Sequence, residues 1–318
     1  MFEQTGRLMP DHHLGPTRLV RAAALSVSGR DLYLKLESEL PTGSFKVRGA
    51  VHSLSVNLAK GGIREAVAAS TGNHGAAVAY AAGLRRVAAT IFLPTNPNLV
   101  KAARIRELGA RLIETGADLS AAIDAAREWA ASRDDRFFLH DAEDPDIPAG
   151  TATIGREIVS QLPSVEAIYV PMGDTALIRG VASAAKQLRP SITIIGVVAE
   201  QAPAYYLSWQ QGATVETGAA NTIADGLAVS RPLAPNVAAI RELVNDVEAV
   251  SEQEMLAAIA LLHEHEHVTA EPAGAAATAA WLKRGDPYGT SVALVTGANI
   301  APDVMEIVRA LEVRRRAR

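Results

Sequence analysis

Ala66-Val67-Ala68-Ala69-Ser70-Thr71-Gly72-Asn73-His74-Gly75-Ala76-Ala77-Val78-Ala79-Tyr80-Ala81-Ala82 is the stretch that decides the architecture. A short apolar run closes on a Ser-Thr-Gly-Asn turn, and alanine-rich sequence follows at once. Strand, tight loop and helix in that order are the unit of a parallel sheet with crossover helices. The same unit recurs outward in both directions. Strand candidates are Asp31–Leu36, Ala66–Ser70, Ala88–Leu93, Arg111–Glu114, Ala167–Pro171, Ile192–Val198 and Val292–Val295. Helix candidates between them are Phe45–Ser55, His74–Ala82, Leu99–Leu108, Leu119–Ser132, Ala152–Leu162, Ala176–Gln187, Ser251–His267 and Ala273–Lys283. The fold class is therefore α/β, parallel sheets flanked by helices, with ligands expected where strands end and helices begin. The polar stretch Asp141–Asp146, followed by Pro148, marks a lobe boundary near residue 147.

Composition narrows the function. The 318 residues carry 31 Lys plus Arg, 35 Asp plus Glu and no cysteine. The net charge of −4 leaves no basic surface suited to nucleic acid as the main partner. Without cysteine there is no disulfide framework, thiolate zinc site, iron–sulfur cluster or thiol nucleophile, which is compatible with a reducing cytoplasm. The opening Met1-Phe2-Glu3-Gln4-Thr5-Gly6-Arg7 does not read as a signal peptide, and no apolar run is long enough for a membrane span.

Four segments at strand–helix junctions carry candidate chemistry. In Pro41-Thr42-Gly43-Ser44-Phe45-Lys46-Val47-Arg48 a lysine stands in an apolar helix start, where desolvation makes a neutral amine available as nucleophile or base. A solvated, snorkelling lysine is the alternative. In Ser70-Thr71-Gly72-Asn73-His74-Gly75 free backbone N–H groups at a helix start suit a carboxylate, although ordinary capping would use the same residue types. Val170-Pro171-Met172-Gly173-Asp174-Thr175-Ala176-Leu177 is a glycine-poor loop whose amides suit a phosphate. Val295-Thr296-Gly297-Ala298-Asn299 puts a hydroxyl at the end of the last strand.

Taken together and in order, these segments resemble the fold-type II pyridoxal-phosphate enzymes, in particular the threonine/serine dehydratase and serine racemase branch. Gly15-Pro16-Thr17-Arg18-Leu19, Ala149-Gly150-Thr151, Thr222 to Val229 and Glu271-Pro272-Ala273-Gly274-Ala275 are further markers in sequence order. The resemblance implies a two-lobed, tryptophan synthase β-like enzyme with pyridoxal 5'-phosphate between the lobes. Residues 1–49 and 148–318 would form the large cofactor-binding lobe and 50–147 the small substrate-side lobe. A cytoplasmic homodimer without nucleic-acid or membrane partners is expected.

The resemblance also implies roles. Lys46 matches the lysine that holds the cofactor aldehyde covalently and later takes the substrate Cα proton, with Phe45 beside the cofactor ring. Asn73 matches the partner of the ring hydroxyl. Ser70, Thr71, Gly72 and His74 match the substrate-carboxylate loop, and Gly173, Asp174, Thr175, Ala176 and Leu177 the phosphate loop. Thr296 matches a neutral hydroxyl partner of the pyridine nitrogen. Such a partner makes a weaker electron sink than a carboxylate would, which suits expulsion of a β-substituent as the Cα proton leaves. The expected reaction is β-elimination (ammonia-lyase or dehydratase) on threonine, serine or a hydroxyaspartate, giving a 2-oxo acid and ammonia. β-Replacement of the threonine-synthase kind, racemisation and a ligand-binding pseudoenzyme are the alternatives.

Several features depart from the family pattern. Asp174 stands in a loop that is usually glycine, and a carboxylate about 4 Å from a phosphate would cost on the order of 4 kcal/mol per charge pair, so its side chain is expected to point outward. Tyr206 stands where metal-dependent relatives carry a second carboxylate after Glu200, and no metal is assigned. Thr71 occupies the place of the serine that acts on the opposite face in racemases, and a catalytic role is assigned to it. His263-Glu264-His265-Glu266-His267 fits a zinc-protease pattern but reads as the polar end of a helix. Arg314-Arg315-Arg316-Ala317-Arg318 reads as a solvated helix end. With little after Asn299 beyond a terminal helix, one catalytic unit without a regulatory domain is expected, favouring a catabolic or pathway-dedicated enzyme.

Overall fold

The structure, a computed structural model, describes residues 14–316 apart from 71, 98 and 286. Two compact units are distinguished, one built on Leu40–Thr151 and the other on Pro16–Glu39 together with the chain from Ala152 onward.

The first unit contains a four-stranded parallel sheet in the order β5-β4-β3-β6, formed by β3 (Glu65–Ala69), β4 (Ala88–Leu93), β5 (Arg111–Glu114) and β6 (Arg136–Phe138). The helix Leu119–Ala131 buries Ala122, Ala126 and Ala130, spaced four apart, against Val67 and Phe92. Asp118 starts it by accepting from the Ala121 amide at 2.9 Å. Ile91 alternates with Phe92 and faces the helix Asn73–Arg85 instead, where Gly75 is small enough to sit against the Ile91 and Ile105 side chains and the Ser70 carbonyl. Another close approach explains the Ala149-Gly150-Thr151 marker: a Cβ on Gly150 would run into the Arg48 carbonyl oxygen of the helix Lys46–Ala59.

The second unit holds a six-stranded sheet ordered β1-β2-β10-β7-β8-β9, from β1 (Leu19–Arg21), β2 (Asp31–Leu36), β7 (Ala167–Pro171), β8 (Thr193–Ala199), β9 (Asp246–Val250) and β10 (Thr290–Val295). All neighbours are parallel except β1 with β2. β7, β8 and β10 are strongly apolar because helices cover them, among them Pro272–Arg284, whose residues from Pro272 to Trp281 are all buried. Such a helix needs small residues on every side, and here alanine and glycine supply them. Among the described residues no helix is long and apolar enough to cross a membrane.

Elements that the periodicity does not announce are β1, β6 and β9, and the helices Ala204–Gln211 and Ala234–Leu243. The helix expected from Ala152 begins at Ile147. Pro148 falls in its first turn, where a missing N–H breaks no helical hydrogen bond.

Candidate active site

The first unit carries Phe45, Lys46, Ser70, Gly72, Asn73 and His74; Thr71 lies outside the described residues. Gly43, at φ +65°, makes the turn before the lysine helix, and Ser44 Oγ accepts from the Lys46 amide at 3.2 Å. Lys46 Nζ lies 5.2 Å from the centroid of the Phe45 ring. It also pairs with Asp141, a residue that sequence reasoning did not single out. The lysine is neither free in solvent nor alone, since its side chain is 16% exposed and that of Asp141 15%. Burial pushes the Asp141 carboxyl up, but Lys46 and then His74 outweigh burial and hold it at about 2. His74 is buried, with Nε2 3.0 Å from the Leu139 carbonyl oxygen and Nδ1 3.6 Å from Asp141. That burial holds the imidazole below its ordinary range.

The helix Asn73–Arg85 has Gly72 as its N-cap, and among the described residues no side chain caps this helix start. Ser70 Oγ is engaged instead with the Gly72 amide at 3.2 Å. The helix start offers N–H groups and the positive end of a dipole to an anion.

The second unit carries Gly173, Asp174, Thr175, Ala176, Leu177 and Thr296. Gly173 has no room for a side chain, because a Cβ there would strike the Gly226 carbonyl oxygen. Thr175 is the N-cap of the helix Ala176–Leu188 at φ +69°, a left-handed conformation that is unusual and strained for a β-branched residue. Its hydroxyl is buried, caps nothing in the helix and has no hydrogen-bond partner among the described residues. Asp174 is half-buried, and its carbonyl accepts from Asn236 Nδ2 at 3.3 Å. Asn236 also reaches Tyr205 Oη at 3.3 Å, so the loop is tied down by residues more than thirty positions away in the chain. Thr296 is buried at the end of β10, 3.4 Å from the Ala273 carbonyl oxygen. Gly274 faces Gly297 as Gly173 faces Gly226, backbone against backbone.

A family model described as pyridoxal-phosphate dependent enzyme matches residues 11–297. The chain belongs to that family. As a pyridoxal-phosphate dependent enzyme it must hold a dianionic phosphate, and the second unit fits the group: an orphaned buried hydroxyl stands at the positive end of an uncapped helix. The chain is 38% identical to the L-threonine ammonia-lyase of Thermotoga maritima, over 91% of its own length and 73% of the relative's. Among solved structures it is similar to the processed threonine deaminase isoform 2 of Solanum lycopersicum, with TM-score 0.87, 29% identity and coverage of 97% of this chain and 93% of that one. It is also similar to maize serine racemase, with TM-score 0.89, 26% identity and coverage of 99% and 97%.

Two other motifs in this pyridoxal-phosphate dependent enzyme are engaged in side-chain contacts of their own. His263 Nδ1 lies 2.8 Å from Glu312 and His265 Nε2 3.8 Å from Glu264, which engages the zinc-like pattern locally. Glu200 lies 3.4 Å from Lys283 Nζ, which also meets Glu248 at 3.4 Å and Glu254 at 3.3 Å. An ammonium thus stands among the carboxylates around Glu200. The basic C-terminal run begins on the helix Pro302–Arg316, and residues 317–318 lie outside the described residues.

Proposed function

We propose that this chain is an ammonia-lyase that removes water from a small β-hydroxy amino acid, threonine or serine first among them, and yields a 2-oxo acid and ammonia. The observation that carries the reading is Lys46 at its helix start, in a chain 38% identical to an L-threonine ammonia-lyase. Bound pyridoxal phosphate supplies an aldehyde that captures amines and a ring that draws electrons from the substrate Cα.

The chain's own residues do the rest. Lys46 would hold the cofactor aldehyde through Nζ and, with the substrate amine in that place, would take the Cα proton onto the same nitrogen. Phe45 would lie by the ring, Asn73 would bind the ring hydroxyl oxygen, and Thr296 would offer its hydroxyl to the pyridine nitrogen. Gly173 to Leu177 hold the phosphate, with Thr175 giving a hydroxyl as well as helix amides. Ser70, Thr71, Gly72 and His74 belong to the loop that takes the substrate carboxylate on backbone N–H groups, with the racemase-like position at Thr71. The unit on Leu40–Thr151 is then the substrate side and the other the phosphate side. We further infer a cytoplasmic homodimer.

Purified protein is given threonine or serine alone and assayed for 2-oxo acid and ammonia. Both products appear, and Lys46→Ala removes them together with the visible absorption of lysine-bound cofactor. Oxo acid that forms only with a second substrate would make the chain a β-replacement enzyme. A protein that never becomes coloured with added cofactor would sink the reading.

A further inference from the structure

Asn236 is a buried polar side chain in the first turn of the helix Ala234–Leu243. It does not cap that helix, whose N-cap is Leu233. A buried amide has to spend its hydrogen bonds somewhere. Its Nδ2 donates to the Asp174 carbonyl oxygen and to Tyr205 Oη, both at 3.3 Å. A carbonyl only accepts, so the NH2 end of the amide is the one facing Asp174, and the two contacts use both of its protons. Tyr205 is fixed in turn. Its oxygen accepts from the Leu233 amide at 3.2 Å, and burial pushes the phenol above its ordinary range, which keeps it neutral.

The Asp174 carbonyl is half of the peptide that leads into Thr175. In a planar trans peptide the C=O and N–H point opposite ways. With the carbonyl drawn to Asn236, the Thr175 N–H is turned to the other side of the loop. The Thr175 carbonyl is held as well, by the Arg179 amide at 2.9 Å. Holding the peptides on both sides of a residue fixes its backbone angles, and Thr175 is left at φ +69°. A β-branched residue keeps that conformation only where its surroundings impose it. Asn236 supplies one of the two grips, and it does so from outside the loop.

We propose that Asn236 is a positioning residue for the cofactor phosphate: it holds the Asp174–Thr175 peptide so that Thr175 presents its N–H and its hydroxyl to the phosphate, while Tyr205 holds Asn236. The inference rests on the reading of Gly173 to Leu177 as the phosphate loop. It accounts for two observations at once. The Thr175 hydroxyl has no partner among the described residues, yet the backbone that aims it is kept in a strained conformation. Rotation of that peptide would swing the N–H and the hydroxyl away together. A glycine would adopt such a φ unaided, whereas a threonine needs a brace.

Two ligands separate this role from a merely structural one. Cofactor-free protein is titrated with pyridoxal phosphate and with pyridoxal, which has the aldehyde and the ring but no phosphate. Asn236→Leu is expected to raise the Kd for pyridoxal phosphate at least about 10-fold and to change that for pyridoxal less than about threefold. Tyr205→Phe leaves the bond from Asn236 to Asp174 in place and should raise the Kd for pyridoxal phosphate alone, by about 3- to 10-fold. Adding Asn236→Leu to Thr175→Gly should cost less than adding it to the wild type, because glycine needs no brace. Phosphorus NMR of the saturated holoenzyme gives a readout that stands even where pyridoxal binds too weakly to measure: in Asn236→Leu the bound resonance moves toward that of the free cofactor. Equal losses for the two ligands, no loss, or an unmoved resonance would overturn the positioning role. Should Asn236→Leu fail to unfold cooperatively, Tyr205→Phe decides by the same comparison. An unchanged Kd in Thr175→Val would fell the phosphate reading itself, whereas a raised one there beside an unaffected Asn236→Leu would fell only the brace.

Discussion

Lys35 and Glu157 are joined at 2.5 Å, and the lysine side chain is wholly withdrawn from solvent. Its ammonium also donates to the Thr17 carbonyl and to Gln161 Oε1, both at 2.9 Å, which satisfies all three of its protons. A buried pair of this kind is costly to break from one side, because the remaining charge keeps its desolvation penalty. Glu157→Leu is expected to lower unfolding stability by about 3–5 kcal/mol, and Lys35→Met with Glu157→Leu to recover most of it. Denaturant titration of the single and double variants measures the difference.

Thr175 presents a hydroxyl that no group among the described residues uses. Thr175→Val keeps the branched shape and the backbone strain while deleting that hydroxyl. A lost hydrogen bond to a charged group costs about 1.5–3 kcal/mol, so the Kd for pyridoxal phosphate should rise roughly 10- to 100-fold. Thr175→Ser should hold the cofactor nearly as well as the wild type. Titration of the visible band gives both values.

Gly150 and Gly83 should respond in opposite directions to alanine. Gly150 meets the Arg48 carbonyl and has no space for a methyl group, so Gly150→Ala should destabilise by about 1–3 kcal/mol. Gly83 is exposed, sits inside the helix Asn73–Arg85 and has only one neighbouring atom, at 3.9 Å. There the substitution should stabilise by about 0.5–1 kcal/mol. Parallel urea unfolding curves check the signs.

Acid should act through Asp141 in the cofactor-free protein. Its carboxyl is held at about 2 against an ordinary 3.8, chiefly by Lys46 and His74 working against burial. A depressed carboxyl contributes stability above its unfolded value and loses it as pH falls through the folded one. The contribution is therefore complete above about pH 4 and gone below about pH 2. Asp141→Asn should flatten the stability curve between those limits. An unchanged slope would show that the ion pair contributes nothing to folding.

The parts of this arrangement that were legible are those written locally. Ser70 to His74 announce a strand that ends and a helix that starts, and the structure has that junction, with Gly72 as the N-cap and Asn73 as the first helical residue. Lys46 could be picked out for the same reason. Asp141 could not, because its meaning comes from Lys46, 95 positions away, and from the path that carries β6 beside β3. In the sequence it is the first residue of a polar stretch, and polarity there reads as loop. Pro148 misled for a definable reason: proline signals a break, yet the first helical turn tolerates it. β6 is short and opens on Arg136, whose side chain is paired with Glu65 at 2.7 Å, so no apolar run advertises it.

The glycine contacts leave one more consequence. Where Gly173 meets Gly226 and Gly274 meets Gly297, the two partners touch through main chain alone. Such places hold almost no freedom for mutation, since any side chain would push the strands and helices of that unit apart. Change of substrate range is better sought in segments such as 139–146, where the side chains of Asp141 and Asp144 make contacts with Lys46 and Ser53. A library aimed at new substrates should start there.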